Sequence, residues 1–174
     1  MRLVQSTPRA AWMATLLIRL MVGAVFLSEG LQKFLFAESR GGGRFEQIGF
    51  PMPDLLGYFV GAVETLCGLL VLFGMYTRLA AFLLLIVIVV AIITTKIPIL
   101  LGHGFGSFGV RALPSYGFWS MAHEIRTDWS MLLGTLYLLL VGSGPLAVDG
   151  FFRRRSVSQP PVDVETQPAT HMEV

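Results

Sequence analysis

Long apolar stretches, each broken by a few isolated charges, organise this chain. The first runs over about residues 11–36 and is interrupted by Arg19, Glu29, Gln32 and Lys33. The second covers about 55–75 and carries one charge, Glu64. The third covers about 79–97, and its segment LAAFLLLIVIVVAII has no polar side chain. The fourth covers about 129–147, between Asp128 and Asp149. A bilayer core about 30 Å thick needs about 20 apolar residues in a helix, and backbone polar groups in lipid must be satisfied within the segment. The pattern therefore predicts an all-α membrane protein, a four-transmembrane-helix bundle over residues 1–152. Residues 153–174 contain prolines and few large apolar side chains, so a disordered cytoplasmic tail is expected.

The connections differ in character. Between spans one and two, Gly41-Gly42-Gly43 precedes RFEQIGFPMP. Phe45, Ile48 and Phe50 alternate with Arg44, Glu46 and Gln47, which predicts a short interfacial segment on the membrane surface. Pro51 and Pro53 should end it. The connection over 102–127 is rich in Gly and aromatics, with Trp119 and Trp129 as expected interface anchors. Long loops of this kind often carry function.

Composition narrows the classes. Of 174 residues, 54% are hydrophobic and 14% charged, and the net charge is +2. Soluble domains carry about 25% charged residues, so a soluble enzyme is disfavoured. No basic field exists to hold nucleic acid. The one cysteine, Cys67, rules out an internal disulfide or a CxxC site. A cleavable signal peptide fits poorly, because Arg19 would interrupt its apolar region.

Four crossings place both ends on one side. Arg2, Arg9, Arg78 and Arg153-Arg154-Arg155 share that side, and Arg40, Arg44, Arg111 and Arg126 lie opposite, with Lys33 and Lys96 near that boundary. Counted with the lysines the sides tie, and the compact triplet decides for cytoplasmic termini in a bacterial inner membrane.

The intramembrane charges are the candidate chemistry. Arg19, Gly23, Phe26, Gly30 and Lys33 form one stripe along span one, and Gly57, Gly61, Glu64 and Gly68 form one along span two. Glycines permit close helix approach, and a charge at mid-bilayer costs about 2.5–3.5 kcal/mol even on insertion scales. Packing the two stripes together is the economical solution. It lets Glu64 meet Arg19, while Glu29 and Lys33, four residues apart, suit a local ion pair. Such pairs fix helix packing or form a polar pocket for a ligand headgroup or a proton.

The stripe residues also carry a resemblance. Arg19, Gly23, Phe26, Gly30 and Lys33 are followed by GFPMP at 49–53. Glu64, Gly68, Gly74 and Thr77-Arg78 come next, then GSGPLAVDG at 142–150. This ordered set, spread over about residues 12–152, resembles the DoxX family of small four-helix bacterial membrane proteins. At the last motif the chain has Leu-Ala where many members carry a polar or basic residue, and a Ser earlier in it. The resemblance implies a redox-associated membrane subunit linked to quinone-dependent oxidoreductase complexes or oxidative-stress responses. It carries Arg19, Lys33 and Glu64 over as a polar core without a catalytic assignment.

Other motifs are weaker. Gly104, Gly106 and Gly109 match GxGxxG, but no strand precedes them. His103, His123, Glu124 and Asp128 are loop candidates, yet too few and too scattered for the three or four converging ligands of a metal site. No span interior holds a histidine for haem. Cys67 reads as inert packing. The expected ligand set is therefore Arg19, Glu29, Lys33 and Glu64, with no intrinsic cofactor and no metal, and quinone as the candidate ligand. The expected partners are the lipid bilayer and either a membrane redox partner or further copies of the chain. Three functions stay open: an accessory or ligand-binding subunit of a quinone-linked membrane oxidoreductase or oxidative-stress system, a small-molecule or lipid carrier, and a structural anchor or assembly partner without chemistry.

Overall fold

Helix boundaries in the computed structural model, which describes residues 8–144 and 147–148, follow local backbone chemistry closely. α1 spans Pro8–Leu35, and two short helices follow, α2 Ala37–Arg40 and α3 Gly42–Ile48. α4 spans Pro53–Phe73. Proline at its first position gives up an N–H that has no partner there anyway. Gly74 ends it in the left-handed conformation (φ 70°), donating its N–H to Leu70 and Val71 carbonyls. α5 spans Thr77–Ala91 and passes through one wide π turn, Ile92–Lys96, into α6, Ile97–Leu101. α7 spans Phe118–Val141. No strand occurs among the described residues; Phe105 and Phe108 make an isolated bridge. The expected tail, 153–174, and Asp149 lie outside the described residues.

Two boundaries differ from the sequence expectation. Span three is expected to end at about residue 97, just before Pro98, whose ring clashes with the carbonyl four residues earlier. The chain instead widens into the π turn just before it and continues to Leu101. Thr94 and Thr95 hydroxyls help by donating to the Val90 and Ala91 carbonyls at 2.8 and 2.6 Å. The second difference is larger. α7 starts at Phe118, far ahead of the expected Trp129. His123, Glu124, Arg126, Thr127 and Asp128 lower the local hydropathy without interrupting the helical backbone. His123, Glu124 and Asp128 are therefore helix residues, not loop residues.

Three helical stretches are long and apolar enough to cross a membrane: Ala11–Leu35, Pro53–Phe73 and Thr77–Leu101. α7 packs with them as a fourth long helix. α1 lies against α4 and α7, and α5 lies against the same two, so α4 and α7 stand at opposite corners. Val22, Phe26, Cys67, Val71, Ala80, Ala81, Leu84, Ile88, Met131 and Leu138 fill the centre. Leu17, Phe59, Leu66, Leu79, Phe82 and Ile86 point outward. So much exposed apolar surface suits a lipid environment and not water.

The α1–α4 contact is the closest. A Cβ added at Gly68 would stand 2.7 Å from the Leu27 amide nitrogen, and one at Gly30 2.6 Å from that of Thr65. Only glycine lets the backbones approach this far. At the end of the bundle where α4 begins, α3 rests on α4 where Gly42 meets Gly57. The expected short segment is thus helical. The 102–117 loop folds over it: Phe108 packs on Phe50 (5.0 Å between centroids), Phe50 on Phe45 (5.3 Å), and Gly109 N–H donates to Ile48 O at 2.8 Å.

Candidate functional site

The buried ion pair at the α1–α4 seam joins Lys33 and Glu64, with Nζ 2.5 Å from Oε2. Their side chains are 12% and 6% exposed. Lys33 Nζ also reaches the backbone carbonyl of Glu29 at 3.5 Å. The expected local pair with the Glu29 carboxylate gives way to this longer-range one.

Arg19 takes a different role from the one its stripe suggested. Its Nε and Nη2 donate to the carbonyls of Val71 (3.1 Å) and Leu72 (2.8 Å), and Nη1 donates to Ser143 O (3.2 Å). A cation beside the last carbonyls of a helix satisfies acceptors that lack an intrahelical donor and opposes the negative end of the helix dipole. Arg19 thus ties the C-terminal end of α4 to the segment after α7.

Register and side-chain direction explain why Glu64 meets Lys33 and not Arg19. Gly30 faces Gly61 and Thr65 across the seam, and Gly23 faces Gly68 and Leu72. Glu64 is therefore level with Gly30. Lys33 sits about 5 Å above that level and Arg19 about 16 Å below it, at 1.5 Å per residue. Helical Cβ atoms tilt toward the helix N-terminus. In antiparallel helices, Glu64 leans toward Pro53, Lys33 leans toward Pro8 and they converge. Arg19 leans toward Pro8 as well, away from Glu64. The sequence stripe gives the shared face correctly but carries no information about lean.

A second charged seam lies between the π turn and α7. Lys96 Nζ stands 3.1 Å from Asp128 Oδ2, with side chains 10% and 23% exposed. A π turn advances each residue through a smaller angle than an α turn does. The lag brings Lys96 back onto the face of Leu84 and Ile88, where α7 waits. Sequence reasoning left Lys96 as a boundary charge; the signal was Thr94-Thr95 followed by Pro98, which marks a helix irregularity. One turn earlier on α7, Glu124 pairs with Arg111 of the loop at 3.5 Å. His123 Nδ1 contacts Arg126 Nη1 at 3.1 Å, and His103 Nδ1 contacts Gly104 O at 2.7 Å. His103 and His123 are thus engaged separately. Among the described residues no three His, Cys, Asp or Glu side chains converge as metal ligands. Thr15 Oγ1 and Tyr137 OH hydrogen-bond at 2.8 Å across α1 and α7 near the C-terminal end of α7.

The chain is 48% identical over 141 residues to the uncharacterized membrane protein Rv3486 of Mycobacterium tuberculosis, covering 81% of this chain and 82% of the relative. Residues 14–97 match the DoxX family. The chain belongs to the DoxX family. It is also 31% identical over 138 residues to the Bacillus subtilis protein named "Putative oxidoreductase CatD", covering 79% of this chain and 85% of that one. No solved structure matches it. The DoxX match spans Arg19, Lys33, Glu64 and Lys96 and stops short of α7, so the Lys96–Asp128 seam joins matched and unmatched parts of this family member.

Proposed function

We propose that this DoxX protein is the ligand-binding subunit of a quinone-linked membrane oxidoreductase or oxidative-stress system, with the Lys33–Glu64 seam as its binding centre. The observation that carries the reading is the buried ion pair between two glycine-apposed helices. Ionisable groups within spans mark functional sites by default, because lipid tolerates them poorly. A quinone headgroup asks for an apolar setting with a hydrogen-bond donor at one oxygen and an acceptor when that oxygen is reduced. The Lys33 ammonium is a donor, the Glu64 carboxylate an acceptor, and Gly61 and Cys67 flank Glu64 on the same helix face. The name of the Bacillus subtilis relative supports a redox context.

In this proposal α7 crosses the bilayer too. Its 24 residues extend about 36 Å at the helical rise, enough for the hydrocarbon core. Both termini are then cytoplasmic, in the bacterial inner membrane. The carrier reading has less support: Val22, Leu84 and Leu138, each fully buried, occupy the middle of the bundle where a path would have to run.

The test is extraction. Protein taken from native membranes into polymer-bounded nanodiscs should retain quinone above the level of the surrounding lipid, at about one molecule per chain. K33M and E64Q should each reduce it at least tenfold. Quinone at the bulk lipid ratio in the unaltered protein refutes the reading.

A further inference from the structure

α1 and α7 meet closely along only part of their length. A Cβ added at Gly134 would stand 2.5 Å from Val22 Cγ2, and Thr15 Oγ1 bonds Tyr137 OH at 2.8 Å. These contacts fix which side of each helix faces the other. The two helices are antiparallel. Seven residues on from Val22 is Glu29, and seven back from Gly134 is Thr127, so the register sets Glu29 opposite Thr127. Seven residues make nearly two whole turns, so both stay within about 20° of the contact line. His123 and Ser130, one turn to either side of Thr127, lie within about 40° of the Gly134 direction.

Burial along that line changes at Val22. Thr15, Val22 and Gly134 are buried. Beyond them Glu29 is half-buried, and Thr127, His123 and Ser130 are exposed. Helices that stayed in contact would bury these side chains against each other. α1 and α7 therefore part beyond Val22 and Gly134, leaving a cleft. Among the described residues no hydrogen bond or ion pair spans it; the Thr15–Tyr137 bond lies on the other side of Val22. The cleft has polar walls, Glu29 on α1 and Thr127, Ser130 and His123 on α7. Its lip is apolar: Met21 on α1 and Leu133 on α7 are exposed beside the narrow end. Lys33 follows one turn after Glu29, about 40° further round α1 toward α4, and its Nζ reaches Glu29 O at 3.5 Å. The cleft thus leads to the Lys33–Glu64 pair.

We propose that this α1–α7 cleft is the side entrance through which a quinone headgroup reaches Lys33, with the apolar tail lying over Met21 and Leu133. The inference rests on the reading of the Lys33–Glu64 seam as a quinone site and of α7 as a crossing helix. Two features select this occupant. The cleft is continuous with the ion pair, and its polar walls and apolar lip match a ring bearing two oxygens on a hydrocarbon tail. An acyl chain in the same place would leave the polar groups of Glu29, Thr127 and Ser130 facing hydrocarbon without partners.

Exchange kinetics test it. The probe is a deuterated short-chain benzoquinone, loaded into the protein in native nanodiscs and chased with the unlabelled compound, with the bound fraction timed by mass spectrometry. In a C67A background, T127C is folded, purified and only then capped with a bulky aromatic maleimide, so that folding precedes the obstruction. L136C, on the far side of α7 at an exposed position, receives the same cap as control. Capped T127C should exchange at least tenfold more slowly than before capping, and capped L136C should change by a factor of about two at most. E29C with T127C in one chain should link through a short bismaleimide, whereas E29C with L136C should not. Retention of quinone with equal exchange in the two capped proteins would overturn the entrance and leave the binding seam standing. Failure of E29C and T127C to link would do the same, as would a T127C cap that displaces phospholipid without slowing quinone. Quinone at the bulk lipid ratio in the unaltered protein would remove both the seam and its entrance.

Discussion

Replacing Lys33 by methionine leaves the Glu64 carboxylate, 6% exposed, in the seam without its ammonium partner. Breaking a buried pair from one side costs about 3–5 kcal/mol, because the remaining charge stays desolvated and uncompensated. Lys33 is the less enclosed partner, at 12% exposure, so the lower part of that range, about 3 kcal/mol, is expected. E64Q leaves a lysine that can lift its amine toward the outer boundary, so it should cost less, about 1–2 kcal/mol. K33M combined with E64Q removes both charges and should cost far less than the sum of the single losses, with a coupling of about 2 kcal/mol or more. Reversible unfolding in mixed micelles, titrated with a denaturing detergent, measures all four corners of the cycle. The same cycle run on Arg19 and Glu64 should be additive within about 0.5 kcal/mol, the expectation for sites without a shared partner. Strong coupling of Arg19 with Glu64, or none between Lys33 and Glu64, would refute the register and side-chain-lean argument.

Further outcomes follow from other parts of the bundle. R19A removes a cation that holds three carbonyls among the described residues, each charged hydrogen bond contributing about 1.5–3 kcal/mol, so folded yield should collapse; R19K, with one ammonium in place of a fork, should recover only part of it. Yield measured by fluorescence size-exclusion distinguishes the two. G30A pushes a methyl against the Thr65 amide, and overpacking of this kind costs about 1–3 kcal/mol; an unchanged melting temperature would contradict the close approach. P98A should let the π turn relax toward an ordinary helix and swing Lys96 from Asp128, so D128N should add little to P98A, whereas additive losses would show that the turn does not position Lys96. A membrane-impermeant maleimide should label S120C from the outer face and S143C from the inner face; labelling of both from one side would exclude a crossing by α7.

Most of the architecture was readable because hydropathy and length constrain a membrane helix so strongly. Spans one and two fell within a few residues of α1 and α4, and the short helix at Gly42–Ile48 showed itself by Phe45 and Ile48 set among Arg44, Glu46 and Gln47. The glycine stripes also identified the seam between α1 and α4. What hydropathy could not show was the start of α7, because residues such as His123 and Asp128 are polar yet helical. Nor could it reveal the π turn, which depends on a local conflict at Pro98. Packing the two stripes together pairs Arg19 with Glu64 in the sequence; antiparallel lean sends the two apart, and the guanidinium meets backbone carbonyls that no sequence pattern advertises. Lys96 was overlooked for a related reason, since ordinary helical periodicity places it off the packed face.

The binding centre itself is tested most directly by photolabelling. A short-chain azidoquinone, activated in native nanodiscs and followed by peptide mass spectrometry, should mark α1 near 29–33 and α4 near 61–67. Excess unlabelled quinone should suppress the marking, and E64Q should abolish it while leaving the fold intact. Competable labelling centred instead on the Arg19 end of the bundle, or labelling that excess quinone does not reduce, would contradict the account.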